Sequence, residues 1–112
     1  IARLFRAFDA FKSKTLSNTK LVLVGEKYWW NSDLEEAYNK NKHIDDIIFT
    51  GRLQSSELNN IIASALAMTY IPYFEGFGIP IAEAMASGVP VLTSNCSSMP
   101  EVAAGVTTRI AV

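Results

Sequence analysis

Cysteine and histidine are nearly absent from this chain of 112 residues, which contains one of each, Cys96 and His43. A single cysteine excludes a disulfide within the chain and any metal centre built from several thiolates. His43 stands near the end of a predicted helix, where solvent exposure or the helix dipole explains it without catalysis. We therefore expect a protein of a reducing compartment, the cytoplasm, with no metal site.

Long apolar runs and an excess of one charge are also missing. No apolar stretch approaches the roughly 18 residues that span a bilayer, and the first residues do not form a signal peptide. Ten basic and eleven acidic side chains give a net charge of −1. We therefore expect no nucleic-acid partner. A peripheral position on the inner face of the membrane is compatible with this composition but is not indicated by it.

Hydrophobic residues, in contrast, are abundant. They make up 49% of the chain, which is enough for one domain with a real core. The chain is nevertheless short for an enzyme that binds two substrates, and it begins with Ile1 rather than Met. We therefore expect residues 1–112 to form a single domain excised from a longer protein.

Short apolar runs alternate with amphipathic stretches along the chain. The predicted strands are residues 21–24, 47–50, 66–71, 89–92 and 107–112. The first predicted helix covers residues 1–14, and the second is capped by Asn31 or Ser32 and reaches about residue 42. The third is capped by Ser55 or Ser56, and the fourth runs from Pro80 and ends at Gly88. The fifth begins with a capping box at Ser98 and Glu101 and reaches about Gly105. The first strand, an unbroken apolar run, is expected to be buried on both faces.

This alternation predicts an α/β fold, a Rossmann-like doubly wound parallel sheet with helices on both faces. Every later helix follows a strand, so we expect that the opening helix also followed one. That first strand would lie outside this chain.

The loop after the third predicted strand is the richest candidate site. Its segment Glu75-Gly76-Phe77-Gly78 precedes a helix N-terminus, where backbone N–H groups favour an anion and glycines allow a phosphate to approach. Glu75 and Glu83 would repel a bare diphosphate, but a nucleotide sugar adds ribose and hexose hydroxyls that donate to carboxylates. On these residues alone, two glutamates that stabilise a helix dipole and two glycines that shape a turn are an equally good interpretation.

The longer run from Glu75 to Val91, EGFGIPIAEAMASGVPV, resembles the signature of glycosyltransferase family 4, the glycosyl transferases group 1. The segment Ser98–Val102 resembles the stretch that follows this signature, and the similarity covers about residues 20–105. The resemblance implies the C-terminal domain of a two-domain GT-B enzyme, which transfers sugar with retention and without metal from a nucleoside diphosphate sugar. No other cofactor is implied, and an N-terminal domain absent from this chain would carry the acceptor site.

The resemblance also implies roles for individual residues. Glu75, the catalytic candidate, would contact hydroxyls of the donor sugar and stabilise an oxocarbenium-like sugar without acting as a nucleophile. Glu83 would bind the ribose diol, and backbone amides between the two glutamates would approach the phosphates. The implied donor-binding residues are Gly51, Arg52, Leu53, Gly76, Phe77, Gly78, Ile79 and Glu83.

Gly51-Arg52-Leu53 corresponds to the family's stretch whose backbone recognises the nucleotide base, and Leu53 would pack against that base. The Arg52 side chain is more simply explained as a solvated loop residue. The arginine and lysine with which the family neutralises the diphosphate have no match in this chain. We therefore expect the chain to be inactive by itself.

Three other features have simpler explanations than a site. The aromatic run Tyr28-Trp29-Trp30 could stack on a sugar, but packing against a neighbouring element is the preferred interpretation. Asp45 and Asp46 point to opposite faces of a strand entry, so they are interpreted as solvated and not as metal ligands. Ser94 and Ser97 are interpreted as loop and capping residues.

Two alternatives to a transferase stay open. A non-hydrolysing nucleotide-sugar epimerase shares the architecture, although the paired glutamates favour the transferase. A non-catalytic nucleotide-binding or assembly module is the second alternative. Epimerisation of a nucleotide sugar without an acceptor would identify the first. An upstream sequence without a strand, a basic pair and a further Rossmann-like domain would favour the second.

Overall fold

The computed structural model describes residues 1–27, 30–103 and 108–110, the last three through their backbone. The helices are α1 (Ala2–Thr15), α2 (Ser32–Asn39), α3 (Ser55–Ala63), α4 (Ile79–Ala86) and α5 (Met99–Val102), and a 3₁₀ turn spans Ile44–Asp46. The strands are β1 (Leu21–Val24), β2 (Ile47–Gly51), β3 (Met68–Tyr70), β4 (Val91–Ser94) and β5 (Thr108–Ile110). Of the helices described, none combines the length and the apolar character that crossing a membrane requires.

The chain divides into two compact units, Ile1–Leu53 and Gln54–Val112. In the first unit β1 pairs in parallel with β2, and in the second β4 pairs in parallel with both β3 and β5. Parallel strands that alternate with helices confirm the predicted Rossmann-like α/β class. The described strands pair as a set of two and a set of three, where the sequence predicted one five-stranded sheet.

The first unit has an aromatic core. Phe5 of α1 is fully buried, and its ring and those of Trp30, Tyr38 and Phe49 lie 5.6 to 6.4 Å apart between centroids. The Lys27 ammonium lies 3.8 Å from the centroid of Phe49, within the range of a cation–π interaction. The packing role predicted for Trp30 is confirmed, whereas the other two aromatic residues of that run lie outside the described residues.

Strand β1 is not buried on both faces, so that prediction was wrong. Leu21 and Leu23 pack against the aromatic core, but Val22 and Val24 remain 39% and 42% exposed. The cause is that α1 and α2 both supply their apolar side chains to the same cluster, on the Leu21 side of the strand. Ile48 of β2 is exposed to the same extent, at 43%.

Asp46 is held by two lysines, contrary to the predicted solvated strand entry. The Lys12 ammonium, buried with its side chain, lies 2.7 Å from Asp46 Oδ2, and Lys20 binds Oδ1. The hydrogen bond from Lys12, followed by that from Lys20, lowers the pKa of Asp46 to about 2. Asp45 is exposed, as predicted.

At two of the described helix ends, a side-chain hydrogen bond sets a boundary or a cap that differs from the prediction. Helix α2 begins at the predicted Asn31 cap, whose Oδ1 accepts from Leu34 N–H at 2.9 Å, but it ends at Asn39 instead of residue 42. The chain leaves the helix where buried Asn41 donates to the Phe5 carbonyl at 2.8 Å. Helix α3 is capped by Gln54, whose N–H donates to Glu57 at 2.9 Å, and not by either predicted serine.

The end of α4 determines where β4 begins. Gly88 takes a left-handed φ of 71°, its N–H donates to the Met85 carbonyl, and the N–H of Val89 donates to the Ala84 carbonyl. These bonds form the motif that ends many helices at a glycine. The predicted stop at Gly88 is confirmed, and because Val89 completes the helix end, β4 starts at Val91 and not at residue 89.

Candidate functional site

The candidate site is the loop of residues 71–78, which connects β3 to α4. Gly78, the last residue of this loop, is buried and has a left-handed φ of 81°. A Cβ added there would lie 2.8 Å from Met99 Cε, so glycine meets both a backbone and a packing requirement. Helix α4 starts directly afterwards, with Pro80 in its first turn, as predicted.

Glu75 is held at both its side chain and its main chain. The Tyr70 hydroxyl, at the end of β3, donates to Glu75 Oε2 at 2.7 Å. The hydroxyls of Ser97 and Ser98 donate to the Glu75 carbonyl oxygen at 2.8 and 2.9 Å. Burial, and then the hydrogen bond and charge of Glu75, raise the pKa of Tyr70 to about 12. Tyr70 therefore stays a protonated donor at neutral pH.

The predicted capping box at Ser98 is wrong. Ser98 has helical backbone angles and makes no side-chain cap, because its hydroxyl donates to the Glu75 carbonyl instead. Ser97 adopts a left-handed φ of 54°, which is uncommon for a residue other than glycine. Ser94 donates to the Pro72 carbonyl at 2.7 Å. The interpretation of these serines as plain loop and cap residues missed their contacts with the Glu75 loop.

The remaining implied residues of the second unit flank this loop. Phe77 and Ile79 are each 62% exposed, and Gly76 is exposed and has no left-handed φ. Glu83 lies one turn into α4 and is half-buried. An open groove of about 520 Å³ lies beside the loop. Its lining residues are Gly76, Phe77, Ala82, Met85, Ser98, Glu101 and Val102.

The implied base-binding stretch belongs to the first unit. Gly51 ends β2 with a left-handed φ of 69°, and its carbonyl accepts from the Gly25 N–H at 2.9 Å. Arg52 is exposed, in agreement with a solvated loop side chain, and Leu53 is half-buried. The structure thus brings Glu75, the glycine loop and Glu83 into one unit, and it places this stretch at the end of a strand in the other.

The chemistry of the Glu75 loop follows from these positions. An ionised carboxylate has about four acceptor positions, so one bond from Tyr70 leaves capacity for further hydroxyl donors. The N-terminus of α4 offers N–H groups and a positive dipole end to an anion. Within the described residues, no group of three or more histidine, cysteine, aspartate or glutamate side chains is arranged to hold a metal ion.

The fold and this loop define an α/β domain of the Rossmann-like class. The sequence model of the family Glycosyl transferases group 1 matches residues 1–111, and the chain belongs to this family. The resemblance inferred from the Glu75–Val91 run is confirmed.

Several relatives are named mannosyltransferases, and another is named a synthase. O-antigen chain mannosyltransferase B of Escherichia coli is 33% identical over 102 residues, which cover 91% of this chain and 27% of that protein. MMP alpha-(1->4)-mannosyltransferase of Mycolicibacterium hassiacum is 42% identical over 60 residues, covering 53% of this chain and 15% of that protein. N-acetyl-alpha-D-glucosaminyl L-malate synthase of Bacillus anthracis is 33% identical over 92 residues, covering 81% of this chain and 23% of that protein. The chain therefore spans about a quarter or less of the length of these relatives.

Proposed function

We propose that this chain is the donor-binding half of a retaining glycosyltransferase, which moves a sugar from a nucleoside diphosphate to a glycan, lipid or small-molecule acceptor. The observation that carries the proposal is the fixed carboxylate of Glu75, held by Tyr70 between the end of β3 and the N-terminus of α4. Ligands of parallel α/β folds bind at this edge. A mannosyl donor is the first to test, because several relatives are named mannosyltransferases.

In the proposed complex, Glu75 accepts hydrogen bonds from hydroxyls of the donor sugar. As the bond to the leaving phosphate weakens, the sugar gains positive charge, and a nearby carboxylate stabilises that charge. Glu75 positions and stabilises the sugar and does not form a covalent bond with it. The nucleoside diphosphate departs from the face that the acceptor approaches, which retains the configuration at the anomeric carbon.

The phosphates in this proposal lie against the start of α4. The amides of Phe77, Gly78 and Ile79 would approach them, and the left-handed φ of Gly78, together with its close packing against Met99, fixes the main chain at this point. Negative charge that develops on the leaving diphosphate is then stabilised by the helix N-terminus. This part of the proposal uses no metal ion.

In this proposal Glu83 accepts from the ribose diol. Recognition of the base by the backbone of Gly51–Leu53, in the first unit, stays a prediction from the family resemblance. A further domain of the whole protein supplies the acceptor site and the basic residues that neutralise the diphosphate. The chain alone is therefore proposed to be inactive.

The test is a titration of the whole protein with uridine, guanosine and adenosine diphosphate sugars, followed by transfer assays on two variants. Glu83→Ala should weaken nucleotide binding roughly 10- to 100-fold, because hydrogen bonds to a charged acceptor are lost. Glu75→Ala should lower kcat roughly 100-fold or more with a smaller effect on nucleotide affinity. Glu35→Ala, which removes an exposed acid of α2, is the matched control.

Each outcome separates the candidate functions. Equal nucleotide affinity of the wild type and Glu83→Ala would remove the ribose assignment. Epimerisation of the sugar without an acceptor would show an epimerase and not a transferase. Nucleotide binding without turnover for any donor and acceptor would indicate a binding module.

A further inference from the structure

The carboxylate of Glu75 is fixed although the loop around it is exposed. Phe74 is 84% exposed and Gly76 is exposed, so the neighbours of Glu75 are not anchored by burial. Glu75 itself is half-buried, and its Oε2 accepts the Tyr70 hydroxyl at 2.7 Å. A glutamate side chain without such a partner would distribute over several rotamers.

Tyr70 is attached to a rigid element. It ends β3, where it stands opposite Thr93 of the central strand β4 in the parallel ladder. Its phenol is a donor to a charged acceptor, and bonds of this kind are shorter and stronger than those between neutral groups. The orientation of the Glu75 side chain is thereby tied to the sheet and not to the loop.

The main chain of Glu75 is held from a second direction. Ser97 and Ser98, in the segment after β4, both donate to its carbonyl oxygen. The two hydroxyls occupy both lone pairs of that oxygen. Ser97 makes this contact from a left-handed φ of 54°, the type of backbone strain that concentrates at functional sites.

We propose that the Tyr70 hydroxyl is a positioning group for Glu75: it holds one carboxylate oxygen so that the remaining acceptor positions face the donor sugar, while the two serines fix the main chain. This inference rests on the proposed function. The raised pKa of Tyr70, about 12, supports it, because the phenol remains a donor over the whole range in which a transferase would work.

The test is Tyr70→Phe in the whole protein, which removes the hydroxyl and keeps the ring. We expect kcat to fall roughly 10- to 100-fold, as for other small misplacements of a reacting group. The Kd of the nucleoside diphosphate, which lacks the sugar, should change less than about twofold since Glu75 is not proposed to touch it. Tyr38→Phe makes the same chemical change in the aromatic core of the first unit, and it should leave kcat unchanged.

A double-mutant cycle separates positioning from a general structural role. In the Glu75→Ala background, Tyr70→Phe should have no further effect on kcat, because its partner is gone. Two results would overturn the inference: a double variant whose kcat is well below that of Glu75→Ala, or a Tyr70→Phe variant whose kcat is within about twofold of wild type. If Tyr70→Phe does not fold, Ser98→Ala takes its place, and a normal kcat for that variant overturns the proposal that side-chain hydroxyls from β3 and from the segment after β4 position Glu75.

The same set of variants distinguishes a failure of this inference from a failure of the proposed function. A wild-type protein that transfers no sugar, or a Glu75→Ala variant with full turnover, overturns the proposed function and this inference with it. An inactive Glu75→Ala variant beside a fully active Tyr70→Phe variant leaves the function standing and overturns the positioning role alone.

Discussion

Replacing Gly78 by alanine tests the backbone geometry that starts α4. Two separate costs are expected at this position. The φ of 81° is left-handed, which costs a residue with a side chain about 1–2 kcal/mol. The new Cβ would also lie 2.8 Å from Met99 Cε and 3.4 Å from Ile81 Cδ1, and both of these side chains are fully buried.

The second cost is smaller than a clash with the backbone would be. Met99 meets the new atom with the end of a flexible side chain, so it can adjust at about 1 kcal/mol, the lower end of overpacking costs. The expected total is therefore about 2–3 kcal/mol, the sum of these two contributions.

Two other glycines separate these contributions. Gly88 has a similar φ of 71° with no atom within 4 Å of an added Cβ, so Gly88→Ala should cost only the backbone contribution, about 1–2 kcal/mol. Gly76 has neither a left-handed φ nor a neighbour within 4 Å, so Gly76→Ala should change stability by less than about 0.5 kcal/mol.

The assay must report on the second unit. Both tryptophans precede residue 31, so we would follow urea unfolding by circular dichroism and by hydrogen exchange of the amides of α4. A Gly78→Ala variant as stable as Gly88→Ala would refute the packing contribution of Met99. If Gly88→Ala and Gly76→Ala were equally stable, the argument from the left-handed φ would be refuted.

Two further predictions concern the first unit. Because the folded state lowers the pKa of Asp46 to about 2 from 3.8, the stability due to its two lysine contacts is complete above about pH 4 and is lost as the pH falls towards 2. The free energy of unfolding should therefore fall over this range less steeply in Asp46→Asn than in wild type. The control Asp45→Asn should keep the wild-type dependence on pH. Identical dependence in all three proteins would contradict the stabilising role of the Asp46 contacts. Phe5→Ala removes a fully buried ring and should lower the free energy of urea unfolding by about 3–5 kcal/mol. Phe11→Ala removes a ring that is 40% exposed and should lower it by only about 1–2 kcal/mol. Equal losses would mean that the aromatic core does not dominate the stability of this unit.

The order of helices and strands could be predicted from the sequence because the first three apolar runs end at a residue with a defined backbone preference. Gly25 follows β1 and Gly51 ends β2, and both take a positive φ. Element ends were less predictable. The end of α2 depends on Asn41 reaching the Phe5 carbonyl, a contact across 36 positions of sequence that no local pattern contains.

The candidate site was predictable in its chain segment but not in its contacts. Glu75 and Gly78 stand where a strand–loop–helix pattern places ligands, so the segment itself contains the signal. Tyr70 was missed, although it ends the strand that leads into the loop, where a hydroxyl is a donor at the right edge of the sheet. Ser98 was misassigned because its local spacing fits a capping box, while the Glu75 carbonyl, 23 positions away, competes successfully for its hydroxyl.

The contacts of residues 71–78 also explain how an exposed loop can hold a defined geometry. Its large side chains contribute little burial, since Phe74 and Phe77 are 84% and 62% exposed. Hydrogen bonds from the strands replace that burial: Ser94 donates to the Pro72 carbonyl near the start of the loop, and Tyr70 fixes Glu75 in its middle. The hydrogen-bond donors to the loop belong to β3, to β4 and to the segment after β4. The position of Glu75 therefore depends on these elements and not on the burial of the loop. The exposed rings of Phe74 and Phe77 therefore do not determine where the carboxylate beside them lies.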